Sequence, residues 1–212
     1  MKFALFSTAL LASSIASAST AIDGWYLSAF GGYSHISSNI STNRFGTFYS
    51  DARYHDGYNA GGRIGFQSNP IRYEFEYTYI NAKAEHFYIN HIDQLNVEGH
   101  ALANLIMANL YYDFPEMLDA IAPFVGIGIG YAFMETKLEG NGPFYATLFK
   151  ESGNAFAYQG TVGLTYNFSE NYAINAAYRY TATANSGHFG KSFQAQMGNA
   201  GVIYRFDNGN YK

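Results

Sequence analysis

Alternation of period two runs through most of this chain and leaves room for little besides strands. Residues 71–80 read IRYEFEYTYI: Ile71, Tyr73, Phe75, Tyr77 and Tyr79 share one parity, and Arg72, Glu74, Glu76 and Thr78 the other. Successive side chains of a strand point to opposite faces, so this segment carries one aromatic face and one polar face. Eight such segments can be drawn, at residues 24–35, 57–67, 70–81, 98–113, 123–135, 154–168, 171–182 and 194–206. The 20 Tyr, 18 Phe and 22 Gly suit pleated sheets better than helices. Charged residues make up only 13% of the chain, against ~25% in a soluble domain.

The connections alternate in length. Long polar stretches follow the first, third, fifth and seventh segments, at 36–56, 82–97, 136–153 and 183–193. Short ones follow the others: SNP at 68–70, PEMLDAIA at 115–122 and SEN at 169–171. Long, short, long, short is the pattern of an even-stranded barrel with one rim facing outward. The fold expected is therefore all-β, an eight-stranded antiparallel transmembrane β-barrel with both termini at the short-loop end. On the apolar faces Tyr, Trp and Phe sit at the ends of each row and aliphatics in the middle, as in Trp25, Leu27, Ala29, Gly31 and Tyr33. Aromatic girdles around an apolar band mark a lipid-facing surface. The opposite faces are small or polar, which suits a lumen just wide enough for side chains. The fourth segment, HALANLIMANLYYDF, is apolar on both parities. Here Ile106, Ala108, Leu110 and Tyr112 are expected outward and Asn109, Tyr111 and Asp113 inward, with a bulge near Asn104.

The first eighteen residues, MKFALFSTALLASSIASA, form a separate unit. Lys2 supplies a positive start, Phe3 to Ala12 an apolar stretch, and Ala16-Ser17-Ala18 a small-x-small cleavage pattern. This reads as a secretory signal cleaved after Ala18, leaving 19–212 as one barrel domain. Without Lys2 the chain has 11 basic and 16 acidic residues, a net charge of −5. With no basic cluster, nucleic acid has no electrostatic footing. No cysteine is present, so disulfide and thiolate chemistry are excluded.

GWYLSAFGGYS (24–34), ANLYYDFP (108–115) with APFVGIGIGYAF (122–133), YRYT (178–181) and the closing GVIYRF (201–206) resemble the small outer-membrane β-barrels of Gram-negative bacteria. The type is that of the OmpA transmembrane domain and the opacity proteins, which includes surface antigens of intracellular bacteria. The resemblance implies residence in the outer membrane among lipid and lipopolysaccharide. It also implies biogenesis through periplasmic chaperones and the barrel-assembly machinery; the aromatic loops make host surface molecules expected partners, and no cofactor is expected. Gly201, Tyr204 and Phe206 match the family's C-terminal insertion signal; the tail DNGNYK departs from it, since Phe usually ends the chain in that family.

Candidate chemistry begins with the inward charges Arg63, Arg72, Glu74, Glu76 and Arg179. A turn centred between Ser68 and Asn69 would set Arg63 opposite Glu74. Glu76 would then face Gly61 and need another donor, such as Arg179. Buried charges must be matched, so a plug of ion pairs is expected; a water-filled path between charged rings would make a pore instead. None of the six histidines (35, 55, 86, 91, 100 and 188) has a partner at i+2 or i+4, so no metal site is expected. Some barrels of this size are lipid A deacylases with a His–Ser pair and an acidic partner. His35 and Ser37 lie two apart on one strand edge, but the sequence places no carboxylate beside them. GIGIG alternates within a strand and opens no helix, so it is no phosphate loop. The aromatic-rich stretch NRFGTFYSDARYHDGYN (43–59) suits either a binding surface or upper strand extensions whose aromatics pack together. The expectation is a surface protein with a structural or adhesive role and no catalysis. A small porin-like channel and a lipid A-modifying enzyme stand as alternatives.

Overall fold

The computed structural model describes residues 23–37, 41–44, 47–54, 56–89, 92–93, 95–115, 120–141, 146–184 and 192–206. The expected leader, its expected cleavage after Ala18 and the tail 207–212 lie outside these residues. Eleven strands form: β1 (Gly24–Ile36), β2 (Ser41–Arg44), β3 (Thr47–Tyr54), β4 (Gly57–Ser68), β5 (Ile71–Ile89), β6 (Ile92–Asp93), β7 (Leu95–Asp113), β8 (Ile121–Asn141), β9 (Ala146–Asn167), β10 (Tyr172–Thr183) and β11 (Gln194–Arg205). Eight of them close a ring in which β5, β4, β1, β11, β10, β9, β8 and β7 each pair antiparallel with their neighbours and β7 returns to β5. The protein is a closed eight-stranded antiparallel β-barrel. Closure pairs the backbone groups that an open sheet edge would leave exposed to lipid.

Inward residues set the stagger. From Tyr26 the cross-strand partners run Gly65, Glu74, Asn109, Gly128, Gln159, Thr181 and Ala195, and return to β1 at Ile36. A shift from 26 to 36 in eight strands corresponds to a tilt of about 40° and a radius of about 8 Å. Outward rows follow the alternation. Trp25, Leu27, Tyr73, Phe75, Ile127, Ile129, Val202 and Tyr204 are all exposed on the outer wall. One girdle holds Trp25 against Phe66 and Tyr172 against Tyr204, with ring centroids 5.5 and 5.1 Å apart. The other holds Tyr58 by Tyr79 and Tyr131 by Phe156.

Three expectations are corrected. First, Pro70 has no N–H to give the ladder, so the tight turn is Asn69–Pro70 and Ser68 pairs with Ile71. The hairpin centre therefore moves one residue later. Arg63 stands opposite Glu76, Glu74 opposite Gly65, and Gly61 opposite Thr78. Second, β7 carries no bulge at Asn104; its register is continuous there and shifts only between Leu95 and Glu98. Ile106, Ala108, Leu110 and Tyr112 do face outward, and Asn109 and Tyr111 inward. The outward Asn104 is satisfied by the Tyr77 hydroxyl, which donates to its Oδ1 at 2.7 Å. Third, most of the long connections are strand. β5 and β7 continue to Ile89 and from Leu95, and β8 and β9 run to Asn141 and from Ala146. β2 and β3 form a hairpin whose β3 joins the outer part of β5.

Candidate functional site in the barrel lumen

The inner wall is built from the polar parity of each strand, and its chemistry changes with height. At the short-turn end lie Gln67, Arg72, Asp113, Asn167 and Arg205. The middle holds Tyr26, Arg63, Glu74, Glu76 and Arg179. Above Asn59 and Asn199, which bond each other, the outer half is largely apolar: Ile36, Ile80, Leu105, Met107, Phe193 and Met197 pack together with a ring of alanines, beside the buried hydroxyls of Ser34, Thr181 and Thr183.

All five residues singled out in the sequence line this lumen, and Arg179 and Glu76 are fully buried (0% exposed). They form one ladder of alternating charge. Asp113 meets Arg72 Nη2 at 3.2 Å, and Arg72 Nη1 meets Glu74 at 3.3 Å. Arg63 Nε lies 3.5 Å from Glu74 and donates to Glu76 at 2.7 Å; Glu76 also accepts from Arg179. Thr78 donates to Glu76 at 2.8 Å, and the Tyr26 hydroxyl to Glu74 at 2.5 Å. Each carboxylate therefore has more than one donor, as a buried charge requires.

Aromatic rings complete the packing. Phe30 lies under two guanidinium groups, Arg63 at 4.1 Å and Arg179 at 4.5 Å from its centroid. Arg72 sits between Tyr111 and Phe124 at 4.7 and 4.8 Å. These are cation–π distances, and they hold the guanidinium planes in place. The rings fit because each faces a glycine: Tyr26 pairs with Gly65, Phe30 with Gly61 and Gly201, Tyr111 with Gly126, and Phe124 with Gly163. A Cβ at Gly126 would meet the Tyr111 ring at 2.1 Å. Gly126→Val is expected to destabilise the folded barrel by about 1–3 kcal/mol through overpacking, measured as a lower urea midpoint after refolding into lipid vesicles.

Sequence reading alone missed Tyr26, Phe30, Phe124 and Arg205 as lumen residues. The usable signal was the glycine directly across the strand from each ring.

The other candidates fall elsewhere. Gly201 faces inward beside Phe30, while Tyr204 and Phe206 lie outward in the lower girdle, their rings 5.3 Å apart. Of the histidines, His55, His91 and His188 lie outside the described residues. His35 is on the outer wall, one step above Tyr33, and its Nδ1 is 2.8 Å from Asp56 Oδ1. The structure thus supplies the acid that the sequence did not place. Ser37 shares the outward parity, and its backbone N–H donates to the Gln194 carbonyl at 3.0 Å.

The charges of the ladder touch one another rather than line a path, and the outer half of the lumen is largely apolar. Comparisons with known proteins agree on the architecture. The chain is similar to the crystal structure of Neisserial surface protein A (NspA), with 17% identity and a TM-score of 0.57 over 86% of this chain and 97% of that one. It is also similar to the outer membrane protein OprG from Pseudomonas aeruginosa, with 14% identity and a TM-score of 0.55 over 88% and 98%. No curated protein matches the sequence. The family model described as outer membrane protein beta-barrel domain matches residues 3–206. The chain belongs to this family of outer-membrane β-barrel proteins, and its place is the outer membrane.

Proposed function

We propose that the protein is a surface protein with a structural and adhesive role: a plugged barrel that carries an extracellular sheet. One observation supports this reading above the others. Beyond Phe133 in the outer girdle, β8 continues to Asn141, roughly 20 Å farther from the membrane at the strand rise and tilt above. At this height β7, β8 and β9 lie side by side, and β2 and β3 pair along the outer part of β5. β10 ends at Thr183 opposite Ala157, so β9 from Ala146 to Ala155 has a free edge among the described residues. A free edge can take an added strand from a partner.

In this reading the leader is removed after Ala18. Periplasmic chaperones and the barrel-assembly machinery deliver the barrel through the signal at Gly201, Tyr204 and Phe206. Lipopolysaccharide surrounds the outer girdle, and host surface molecules meet the sheet. The test is attachment of cells displaying the full protein, compared with a variant whose residues 136–151 are replaced by a short turn. Attachment is expected to fall about tenfold or more while the barrel still migrates as a heat-modifiable band. Undiminished attachment would remove the adhesive role. The packed lumen supports no ion pathway, so planar bilayers are expected to show no single-channel steps; discrete openings would favour a pore.

A second reading, hydrolysis of a lipid acyl ester at the outer rim, is favoured by the His35–Asp56 contact. A carboxylate on Nδ1 leaves Nε2 available as the base for a nucleophile, and Ser37 is two residues away. Loss of an acyl chain from lipid A on overexpression, abolished by Ser37→Ala, would support it. Unchanged lipid A would dismiss it.

A further inference from the structure

The lumen ladder balances on its own, with Arg63, Arg72 and Arg179 against Glu74, Glu76 and Asp113. Arg205 stands outside it. This residue is only 3% exposed, yet no ion pair among the described residues includes it. Its Nε donates to Gln67 at 3.3 Å and its Nη2 to Asn167 at 2.9 Å, while its Nη1 bonds nothing. Among the described residues, the periplasmic end of the lumen therefore carries one positive charge in excess.

The same end holds a cavity of about 570 Å³. Arg72, Arg205 and Thr165 line it, and each has a buried polar atom without a hydrogen-bond partner: Arg72 Nε, Arg205 Nη1 and Thr165 Oγ1. Buried donors left unpaired are costly, and an unmatched buried cation more so. Asp113, also on the wall, is engaged with Arg72 and would repel a second negative charge. Tyr112 and Phe114 close the side toward lipid, with rings 5.1 Å apart and both side chains exposed on the outer wall.

We infer that this mouth binds one singly charged oxyanion, a phosphodiester or a carboxylate, held by Arg205 with Arg72 and Thr165. The excess of one cation sets the charge, and the orphan N–H and O–H donors set the class. The anion can arrive free from the periplasm. It can also arrive as the headgroup of a periplasmic-leaflet phospholipid, with its acyl chains against Tyr112 and Phe114. This site goes beyond the adhesive reading and is independent of it, since it lies at the opposite end of the barrel.

The experiment follows the thermal unfolding midpoint of the full chain in phosphatidylcholine vesicles. Dimethyl phosphate or acetate is titrated in at constant ionic strength, with chloride as the balancing salt. A second arm replaces part of the phosphatidylcholine with phosphatidylglycerol. A saturable rise of about 2–4 °C is expected. It should be absent in Arg205→Gln, whose own midpoint without anion should not fall below that of the unaltered chain, because the remaining ladder is balanced. A rise with the soluble anions assigns a free ligand; a rise with phosphatidylglycerol alone assigns a lipid headgroup. Should Arg205→Gln not fold, Thr165→Val removes a donor without a charge and is expected to weaken the anion effect severalfold. The inference is overturned by no rise in either arm, by an equal rise with chloride, or by an equal rise in Arg205→Gln. It is overturned as well if the rise emerges only after Asp207→Asn, since the chain's own carboxylate would then fill the mouth.

Discussion

Replacing Glu76 with Gln is expected to destabilise the folded barrel by about 3–5 kcal/mol, the usual cost of breaking a buried ion pair from one side. Glu76 is the carboxylate between Arg63 and Arg179, and all three side chains are closed off from water. Its removal leaves two guanidinium groups beside the Phe30 ring without the carboxylate they share. The amide keeps the shape and can still accept from Thr78, so the loss reports charge rather than volume. Equilibrium urea unfolding in lipid vesicles measures it. Glu74→Gln is expected to cost less, because Arg72 keeps Asp113 as a partner. A loss below about 1 kcal/mol for Glu76→Gln would place water in the lumen, where solvent screens the ladder, and would favour the pore.

Ile127→Arg tests the other face. Ile127 lies midway along the outward row of β8 and is 69% exposed, among the most open aliphatic side chains on the wall. At the surface of a soluble protein, exchanging such a residue for Arg changes stability by at most about 0.5 kcal/mol. On the lipid face at mid-membrane it costs about 2–4 kcal/mol. The same urea titration in vesicles is expected to show the larger figure, with a lower yield of folded barrel. A neutral result would mean that this row faces water.

Much of this arrangement was legible because alternation of period two is hard to disguise. The outward rows of β4, β5, β8 and β9 needed only parity and the aromatic ends. Less legible was anything that depended on a turn. One residue of uncertainty at Ser68–Pro70 was enough to exchange Glu74 for Glu76 as the direct partner of Arg63. Pro70 held the answer, since a residue with no N–H belongs in the turn rather than in the ladder. The inward rings were missed for another reason. Tyr26, Phe30 and Phe124 look misplaced on a polar parity until the register sets a glycine across from each. Arg205 was missed because it is adjacent in sequence to the girdle residues Tyr204 and Phe206 and was absorbed into the terminal motif. The long connections fit loops and outer strand extensions equally well in the sequence, because aromatics and turn residues are mixed along them. Only pairing between distant segments distinguishes the two.

Trp25 offers the most direct check on the inverted arrangement of faces. It is the only tryptophan in the chain, and it projects from the outer wall beside Phe66 in the lower girdle, 54% exposed. Its fluorescence can be recorded in vesicles of phospholipids brominated at successive depths along the acyl chain, and again with aqueous acrylamide. Strong quenching by bromines close to the headgroup, weaker quenching by those near the bilayer centre, and little effect of acrylamide are expected. Ready quenching by acrylamide with no response to any brominated lipid would contradict a lipid-facing aromatic wall, and with it the barrel's place in the membrane.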